Sequence, residues 1–187
     1  TDDEVDQLLG NLTGDLLWVV RFGLVTGLRW GEMARAQVSD VDFKLGDLVV
    51  HQTKSGKLRR VPLPPEILQE LRGRVGRITP YSARSLSSIT RDIRGRTDLK
   101  RFHVHQLRHT YACRFIEAGG SLAALQQILG HASIETTQRY ARLSDDVVRW
   151  EAHKVHSRTG SIPGSIPQED HVTSFAPVAQ VDRATVS

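Results

Sequence analysis

Residues 105–140 contain the side-chain types that are needed to break a phosphodiester bond. His105 and Arg108 stand three residues apart, and Tyr140 follows His131 by nine residues. A tyrosine hydroxyl can act as a nucleophile, a guanidinium can hold two phosphate oxygens at once, and an imidazole can donate a hydrogen bond or move a proton. This set of groups could therefore attack a phosphodiester without a metal ion.

Each of these residues also has an ordinary interpretation when it is taken alone. A His and an Arg that share one face of a helix are usually solvated, and a histidine in a turn is usually a surface residue. A lone tyrosine is commonly a half-buried aromatic with its hydroxyl in water. The chemical interpretation thus depends on the elements that position these side chains.

Helical periodicity places these residues on neighbouring elements. Apolar spacing predicts one helix over residues 105–118, ended by a Gly-Gly pair, and a second helix over residues 121–129. A glycine ends the second helix, so His131 should emerge in a turn. Ser133 is a suitable N-cap for a further helix, which would carry Tyr140.

The first part of the chain is predicted to supply a core helix and another arginine. A capping-box pattern opens a short helix over residues 1–10, and residues 12–28 repeat large apolar side chains at helical spacing. A glycine near the end of this core helix permits a break. Beyond it, Arg29 and Glu32 lie one turn apart on a helix that runs to about Ala36, so they can form an ion pair.

From residue 38 the apolar period changes to two, which predicts a small antiparallel meander. Its three predicted strands are residues 41–43, 48–52 and 59–63, joined by turns. The second turn places Lys54 at a hairpin tip, from which an ammonium can reach a phosphate, although an isolated turn lysine is more often solvated.

A proline pair then leads into a predicted helix over residues 66–75. Residues 76–101 are polar and rich in arginine, with one predicted helix over residues 85–94. Such a surface suits contacts with phosphates, which position a nucleic acid without reading its bases.

These patterns together predict a mainly helical α+β domain with a small three-stranded antiparallel sheet. We assign residues 1–156 to this domain, including a last helix over residues 145–156. Residues 157–187 repeat turn-forming residues and then lose periodicity, which predicts a linker and a disordered tail.

The composition limits the class of protein and its setting. The chain has 187 residues with 25 Lys and Arg against 21 Asp and Glu, and its net charge of +4 and pI near 9.6 favour a polyanionic partner, although a solvated basic surface fits equally well. Cys113 is the only cysteine, which excludes a disulfide framework. No apolar run is long enough to span a bilayer, and no basic signal-peptide region is present. We therefore expect a reducing, cytoplasmic setting and no membrane partner.

Four segments, in order, resemble the sequence boxes of the tyrosine recombinase (phage integrase) family. They are Thr26–Glu32, Thr53–Gly56, His105–His109, and Leu129–His131 with Tyr140. One such box recurs by chance, but several in order with a long fixed spacing are specific. The resemblance covers about residues 1–143 and implies the catalytic domain of that family. Gln106 departs from the acid that the family often has there, at a position outside the reacting groups.

Six residues match the family's catalytic groups: Arg29, Lys54, His105, Arg108, His131 and Tyr140. The resemblance implies that the arginines clamp the scissile phosphate, the histidines bind it and manage the tyrosine proton, the lysine protonates the leaving 5′ oxygen, and the tyrosine attacks. Glu32 matches the acid that orients the first arginine. Lys57 is the next candidate if Lys54 is not the proton donor.

The resemblance also implies an activity and a partner. The chain would cleave and rejoin double-stranded DNA through a 3′-phosphotyrosyl intermediate, within a tetrameric synapse, to integrate or excise a mobile element, and it would need no cofactor and no metal. The family's N-terminal DNA-grasping domain has no counterpart before the first predicted helix. Two alternatives are an enzyme like a type IB topoisomerase, whose boxes match less closely, and a non-enzymatic DNA-binding remnant, against which the intact set of residues argues.

Overall fold

The helix Gly14–Thr26 lies at the centre of the fold because both of its sides are apolar. In a computed structural model, which describes residues 1–51, 58–131 and 134–141, its residues Trp18 and Phe22 belong to one buried apolar cluster, and Leu16 and Val20 belong to a second. Apolar groups on opposite sides of one helix allow elements to pack on both sides of it.

The described elements are short, and most of them are helices. The helices are Asp2–Asn11 (α1), Gly14–Thr26 (α2), Trp30–Met33 (α3), Pro65–Leu71 (α4), Leu86–Arg96 (α5), His105–Glu117 (α6), Leu122–Leu129 (α7) and Ile134–Ala141 (α8). The strands are Val41–Asp42 (β1), Asp47–His51 (β2) and Leu58–Pro62 (β3). The mainly helical fold with one small sheet is confirmed.

The sheet is a three-stranded antiparallel meander in the order β1-β2-β3, as the sequence predicts. Leu48 pairs with Val41 on one side and with Val61 on the other. Alternate residues of a strand point to the same face, and on β3 the two buried side chains are Arg59 and Val61. A charged residue therefore faces the interior of the domain from the last strand.

Three apolar clusters hold the helices together, and α6 takes part in two of them. The first joins the sheet to α2, α3 and α4. The second joins α1, α2 and α5 to Leu107 of α6, and the third joins Ala112 and Ile116 of α6 to α7 and Tyr140. Helix α6 thus connects the central helix to the helix that carries the tyrosine.

Several predicted boundaries are confirmed by specific contacts. Thr1 and Glu4 form the capping box that opens α1, because the Thr1 hydroxyl accepts a hydrogen bond from the Glu4 amide. Gly27 and Gly130 end α2 and α7 in the left-handed conformation, which glycine adopts without steric cost.

Two predicted helices are shorter in the structure. The helix predicted over residues 66–75 ends at Leu71, because Gly73 has a φ of +77° and Val75 is 91% exposed with nothing to pack against. The helix predicted to run to Ala36 is a single turn, α3, followed by a 3-10 turn at Val38–Asp40 that leads into the sheet.

Some predictions lie outside the described residues. They concern the hairpin tip with Lys54 and Lys57, the N-cap Ser133, the helix over residues 145–156 and the tail over residues 157–187. Within the part of the chain that the structure describes, no helix is long and apolar enough to cross a membrane.

Candidate active site

Arg108 is buried and is held by the ends of two helices. Only 3% of the residue is exposed. Its Nη1 donates to the carbonyl of Gly27 at 2.8 Å, and its Nη2 donates to the carbonyl of Leu129 at 2.9 Å. These carbonyls belong to the C-terminal ends of α2 and α7, where backbone oxygens lack partners within the helix and carry partial negative charge. The two bonds use two of the five guanidinium N–H groups, so others can meet a ligand.

The carbonyl that receives Arg108 depends on a glycine in a crowded place. Gly27 has a φ of +61°. A Cβ at this position would lie 2.5 Å from Cδ1 of Tyr111 and 2.8 Å from a methyl carbon of Leu129. Glycine is therefore required here both by the backbone conformation and by the neighbouring side chains.

Glu32 binds two arginines with one carboxylate. It accepts hydrogen bonds from Nη1 and Nη2 of Arg59 at 2.9 and 2.8 Å, in a two-pronged ion pair. It also accepts from the backbone amide of Arg29 at 2.8 Å and from Nη1 of Arg29 at 3.3 Å. The ion pair that the spacing of Arg29 and Glu32 predicts is confirmed, and Arg59 is an additional partner.

The Arg59 side chain crosses from the sheet to α7. Its Nε donates to the carbonyl of Ile128 at 2.7 Å, and its side chain is 6% exposed. The motifs did not single out Arg59. The strand alternation could have done so, because Arg59 stands two residues before the inward-facing Val61 and must share its face.

We call Arg29, Glu32, Arg59 and Arg108 the arginine cluster, because their charges influence one another. Burial lowers the pKa of Arg108 to about 10, and the positive charges of Arg29 and Arg59 contribute in the same direction. The negative charge of Glu32 opposes this shift. Arg108 thus remains a cation at neutral pH.

Glu32 remains ionised within this cluster. Burial opposes its charge, but the hydrogen bonds from Arg59 and from the Arg29 amide, together with the positive charges of both side chains, outweigh burial and lower the pKa of Glu32. At 9% exposure the side chain keeps its negative charge because both oxygens are satisfied by donors.

His105 stands at the edge of the cluster, at the start of α6. Partial burial lowers the pKa of His105, and the positive charges of Arg108 and Arg29 lower it further. A neutral imidazole at neutral pH follows, with one nitrogen able to accept a proton.

Tyr140 is buried on α8, with 6% of the residue exposed. Its ring packs in the third apolar cluster, and its hydroxyl lies 3.4 Å from Nδ1 of His109. The Tyr140 oxygen is near enough to Arg108 to raise the pKa of that arginine by its own charge. His109 also lies 3.7 Å, through Nε2, from Sγ of Cys113.

His131 is joined to the helix that carries the tyrosine. Its Nδ1 lies 2.8 Å from Oγ1 of Thr137, a residue with no exposed surface. Thr137 stands three residues before Tyr140 and therefore shares its side of α8. The His131 amide donates to the carbonyl of Gln126 at 3.2 Å, which fixes the turn after α7. We call α8, with His109 and His131, the tyrosine region.

The structure brings most of the predicted residues to one place. Besides burial, the charges of Arg29, Glu32 and Tyr140 act on the pKa of Arg108, and those of Arg108 and Arg29 act on the pKa of His105. His131 contacts the helix of Tyr140. Lys54 lies outside the described residues. Sequence reasoning missed Arg59 and Thr137, and it gave His109 no role of its own although His109 is the last residue of the third box.

The arrangement joins a concentration of positive charge to a phenol. Guanidinium groups next to a tyrosine oxygen can bind a phosphate and stabilise negative charge that grows on it. Among residues 1–51, 58–131 and 134–141, no three His, Cys, Asp or Glu residues are grouped so that they could hold a metal ion.

Comparison with known proteins gives consistent results. The model of the phage integrase family matches residues 1–146. The tyrosine recombinase XerA of Pyrococcus furiosus is 31% identical over 165 residues, which cover 77% of this chain and 57% of XerA. The integrase of Haemophilus phage HP1 is 36% identical over 132 residues, which cover 70% of this chain and 38% of that protein.

The similarity extends to a solved structure of a catalytic domain. The catalytic domain of bacteriophage HP1 integrase superposes with a TM-score of 0.65 and 30% identity, covering 82% of this chain and 92% of that domain. The chain spans between 38% and 57% of the two curated relatives described above. The fold, the family match over most of the chain and the identity to these relatives show that the chain belongs to the phage integrase family, that of the tyrosine recombinases.

Proposed function

We propose that this chain is the catalytic domain of a site-specific DNA recombinase that cleaves and rejoins strands through a 3′-phosphotyrosyl intermediate. The observation that carries the proposal is that Leu129 joins Arg108 to Tyr140: its carbonyl accepts a hydrogen bond from Arg108, and its side chain lies with Tyr140 in the third apolar cluster. The names of the relatives, which are recombinases and integrases, support this activity.

In the proposed reaction, the Tyr140 oxygen attacks the scissile phosphorus. A bond from phosphorus to the phenolic oxygen forms while the bond to the 5′ oxygen breaks, so one phosphodiester replaces another and no ATP is needed. The transition state carries extra negative charge on the nonbridging oxygens, and Arg29 and Arg108 would stabilise it where it develops.

Protons must move in both directions during this exchange. The phenol loses a proton as it attacks, and His105 and His131 are the proposed groups that bind the phosphate and receive or relay that proton. The departing 5′ oxygen gains a proton, for which Lys54 is the proposed donor and Lys57 the next candidate. Attack by a 5′-hydroxyl of a partner strand reverses each step.

The proposed substrate is double-stranded DNA, and the proposed assembly is a tetramer. Each chain supplies one Tyr140, whereas exchange of both strands between two duplexes requires four cleavages. Four copies of the active site are therefore needed at one synapse. Exposed arginines on α5, such as Arg91 at 81% side-chain exposure, are suited to the DNA backbone. Because DNA is the substrate, the proposed place of action is the cytoplasm.

A covalent trapping experiment tests this function. The full chain is incubated with a pool of duplexes of randomised sequence, each nicked so that a short 5′-hydroxyl fragment diffuses away after cleavage. We expect a protein–DNA adduct that survives SDS, and its loss in Tyr140→Phe by at least about 10⁴-fold, because the nucleophilic oxygen is gone.

Tyr111→Phe is the matched control, since Tyr111 is a partly buried tyrosine on α6 that also packs in the third apolar cluster. This variant should form the adduct at the wild-type rate, and Tyr140→Phe should retain noncovalent binding. An adduct that persists in Tyr140→Phe, or a wild-type chain that binds DNA and never becomes attached to it, contradicts the proposed function.

A further inference from the structure

We propose that Arg59 is a positioning residue of the active site: it holds Glu32, and through Glu32 it sets the position and hydrogen-bonding freedom of Arg29. This inference rests on the proposed function, because Arg29 acts there on the scissile phosphate. Arg59 itself would not touch the substrate.

The bonds of Arg59 fix the Glu32 carboxylate in place. Two parallel bonds at 2.8 and 2.9 Å set both the distance and the plane of the carboxylate. Both side chains are buried, at 6% and 9% exposure, so water screens their attraction little. Arg59, on strand β3, therefore fixes the position of the carboxylate to which Arg29 also binds.

Sharing the carboxylate leaves Arg29 available. Arg29 makes one side-chain contact with Glu32, at 3.3 Å, and its side chain is 46% exposed. Since Arg59 takes the two shorter side-chain bonds, Glu32 uses only one of the five guanidinium N–H donors of Arg29. Arg29 therefore has N–H groups left for phosphate, whereas all three guanidinium nitrogens of Arg59 are already bonded to Glu32 and to the carbonyl of Ile128.

The net charge of the arginine cluster fits these two roles, in which Arg29 binds the phosphate and Arg59 holds Glu32. Three guanidinium groups and one carboxylate leave a net charge of +2. A pentacoordinate phosphorane with two charged nonbridging oxygens carries −2. Loss of Arg59 would leave one carboxylate against Arg29 and Arg108, and Glu32 would then compete with the phosphate for Arg29.

Arg59 also connects the two arginines that would clamp the phosphate. It donates to the carbonyl of Ile128, and Arg108 donates to the carbonyl of the next residue, Leu129. Two consecutive carbonyls at the end of α7 thus hold two guanidinium groups. The relative position of Arg29 and Arg108 depends on this shared attachment.

The test compares Arg59→Met with Arg60→Met in the covalent trapping assay. Arg60 is the neighbouring arginine, but its side chain is 53% exposed and its contacts to Asp42 and Asp47 are 3.5 and 3.6 Å long. We expect Arg59→Met to slow adduct formation by about 10- to 100-fold, in the range of a misplaced catalytic group. Arg60→Met should leave the rate unchanged.

A neutral substrate distinguishes positioning from simple structural support. In a methylphosphonate, a methyl group replaces one nonbridging oxygen, so the transition state carries one negative charge fewer. The rate ratio between wild type and Arg59→Met should shrink on this substrate, as it should for Arg29→Ala. An equal ratio on the phosphodiester and the methylphosphonate would show that Arg59 only maintains the fold, and would overturn the inference.

A second variant covers the case in which Arg59→Met fails to fold because Glu32 is left as an unpaired buried charge. The double variant Arg59→Met/Glu32→Gln removes both charges. Because Arg59 acts through Glu32, this double variant should form the adduct at nearly the rate of Glu32→Gln alone. If adding Arg59→Met to Glu32→Gln slows the reaction by the same factor of about 10 to 100 that is expected in the wild type, Arg59 does not act through Glu32 and the proposal is overturned. A wild-type chain without any adduct would instead refute the proposed function.

Discussion

The arginine cluster and the tyrosine region hold their side chains by different kinds of hydrogen bond. In the arginine cluster, buried guanidinium groups donate to the backbone carbonyls of Gly27, Ile128 and Leu129 and to one carboxylate. In the tyrosine region, His131 contacts the hydroxyl of Thr137, and His109 contacts that of Tyr140.

The two kinds of bond differ in whether donor and acceptor can change places. A guanidinium only donates and a carbonyl only accepts, so the direction of each bond in the arginine cluster is fixed. A hydroxyl and an imidazole can each donate or accept, so the bonds in the tyrosine region can reverse when a proton moves. The fixed bonds suit groups that supply charge, and the reversible bonds suit groups that transfer protons.

The substitution Arg108→Lys tests the fixed bonds most severely. An ammonium cannot hold the carbonyls of Gly27 and Leu129 in fork geometry and also bind two phosphate oxygens. We expect a loss of about 10²- to 10³-fold in the rate of adduct formation, comparable to the loss of a charge-stabilising donor and close to that of Arg108→Ala.

Arg114→Lys is the control, because Arg114 lies on the same helix but is exposed and pairs with Asp2 near the N-terminus. Its adduct should form at the wild-type rate. Near-normal cleavage by Arg108→Lys would mean that a point charge is enough, and that the carbonyl fork has no catalytic role.

Gly27→Ala moves a carbonyl acceptor and leaves the guanidinium itself unchanged. The new Cβ would collide with Tyr111 and Leu129, and φ is positive, so the end of α2 must shift. Because the Gly27 carbonyl binds Arg108, we expect a rate loss of about 10- to 100-fold through misplacement. The measurement is single-turnover adduct formation, with circular dichroism to confirm folding.

Gly14→Ala is a closely matched control at the other end of α2. Gly14 has a φ of +57°, near that of Gly27, but no atom lies within 4 Å of an added Cβ. Both variants therefore have comparable backbone strain, and only Gly27→Ala should slow the reaction. Equal rates for the two variants would separate the Gly27 carbonyl from catalysis.

The residues that sequence reasoning placed well interact over short distances. Arg29 and Glu32 are one turn apart, so their ion pair follows from helix geometry. The glycine ends of α2 and α7 follow from local preferences as well, and so does the capping box at Thr1. Each of these features depends on a few consecutive residues.

The features that sequence reasoning missed depend on contacts between distant parts of the chain. Glu32 and Arg59 are 27 residues apart, and the acceptors of Arg59 and Arg108 are backbone carbonyls, which every residue type possesses. Thr137 binds a histidine from a preceding turn. Residue type and spacing give no signal for such partners, because the tertiary fold creates them.

Thr137→Val tests the reversible bonds, with a smaller expected effect. Valine keeps the shape of threonine but removes the hydroxyl that meets Nδ1 of His131, so the imidazole loses the group that sets its tautomer. We expect adduct formation to slow by about tenfold or less, as loss of one hydrogen bond predicts, and Thr137→Ser to restore most of the rate.

Thr97→Val provides the comparison for a lost buried hydroxyl. Thr97, the residue that follows α5, is 5% exposed, and its hydroxyl donates to the carbonyl of Ile93 in that helix. Its replacement should lower the free energy of unfolding without slowing the reaction. If Thr137→Val slows cleavage no more than Thr97→Val does, the contact with His131 has no part in proton transfer.

The smallest expected effect is a pH dependence of stability that arises from His105, which the arginine cluster affects directly. Burial and the charges of Arg108 and Arg29 lower its pKa below the ordinary value of 6.5. Below that value the unfolded chain binds a proton that the folded chain binds only at still lower pH. The free energy of unfolding therefore rises with pH up to about 6.5, and the stability that neutral His105 allows is lost as pH falls through its folded pKa.

Denaturant unfolding at a series of pH values from 5 to 7.5 measures this dependence. Glu32, whose lowered pKa starts from 4.5, contributes to the slope only at more acid pH. We expect His105→Gln to flatten the slope below pH 6.5, and His51→Gln, at the exposed end of β2, to leave it as in the wild type. The same slope in His105→Gln and wild type would show that the charge of the arginine cluster does not extend to His105. The boundary between residues that supply a fixed charge and residues that transfer protons would then lie on α6, between Arg108 and His105, which stands one turn before it.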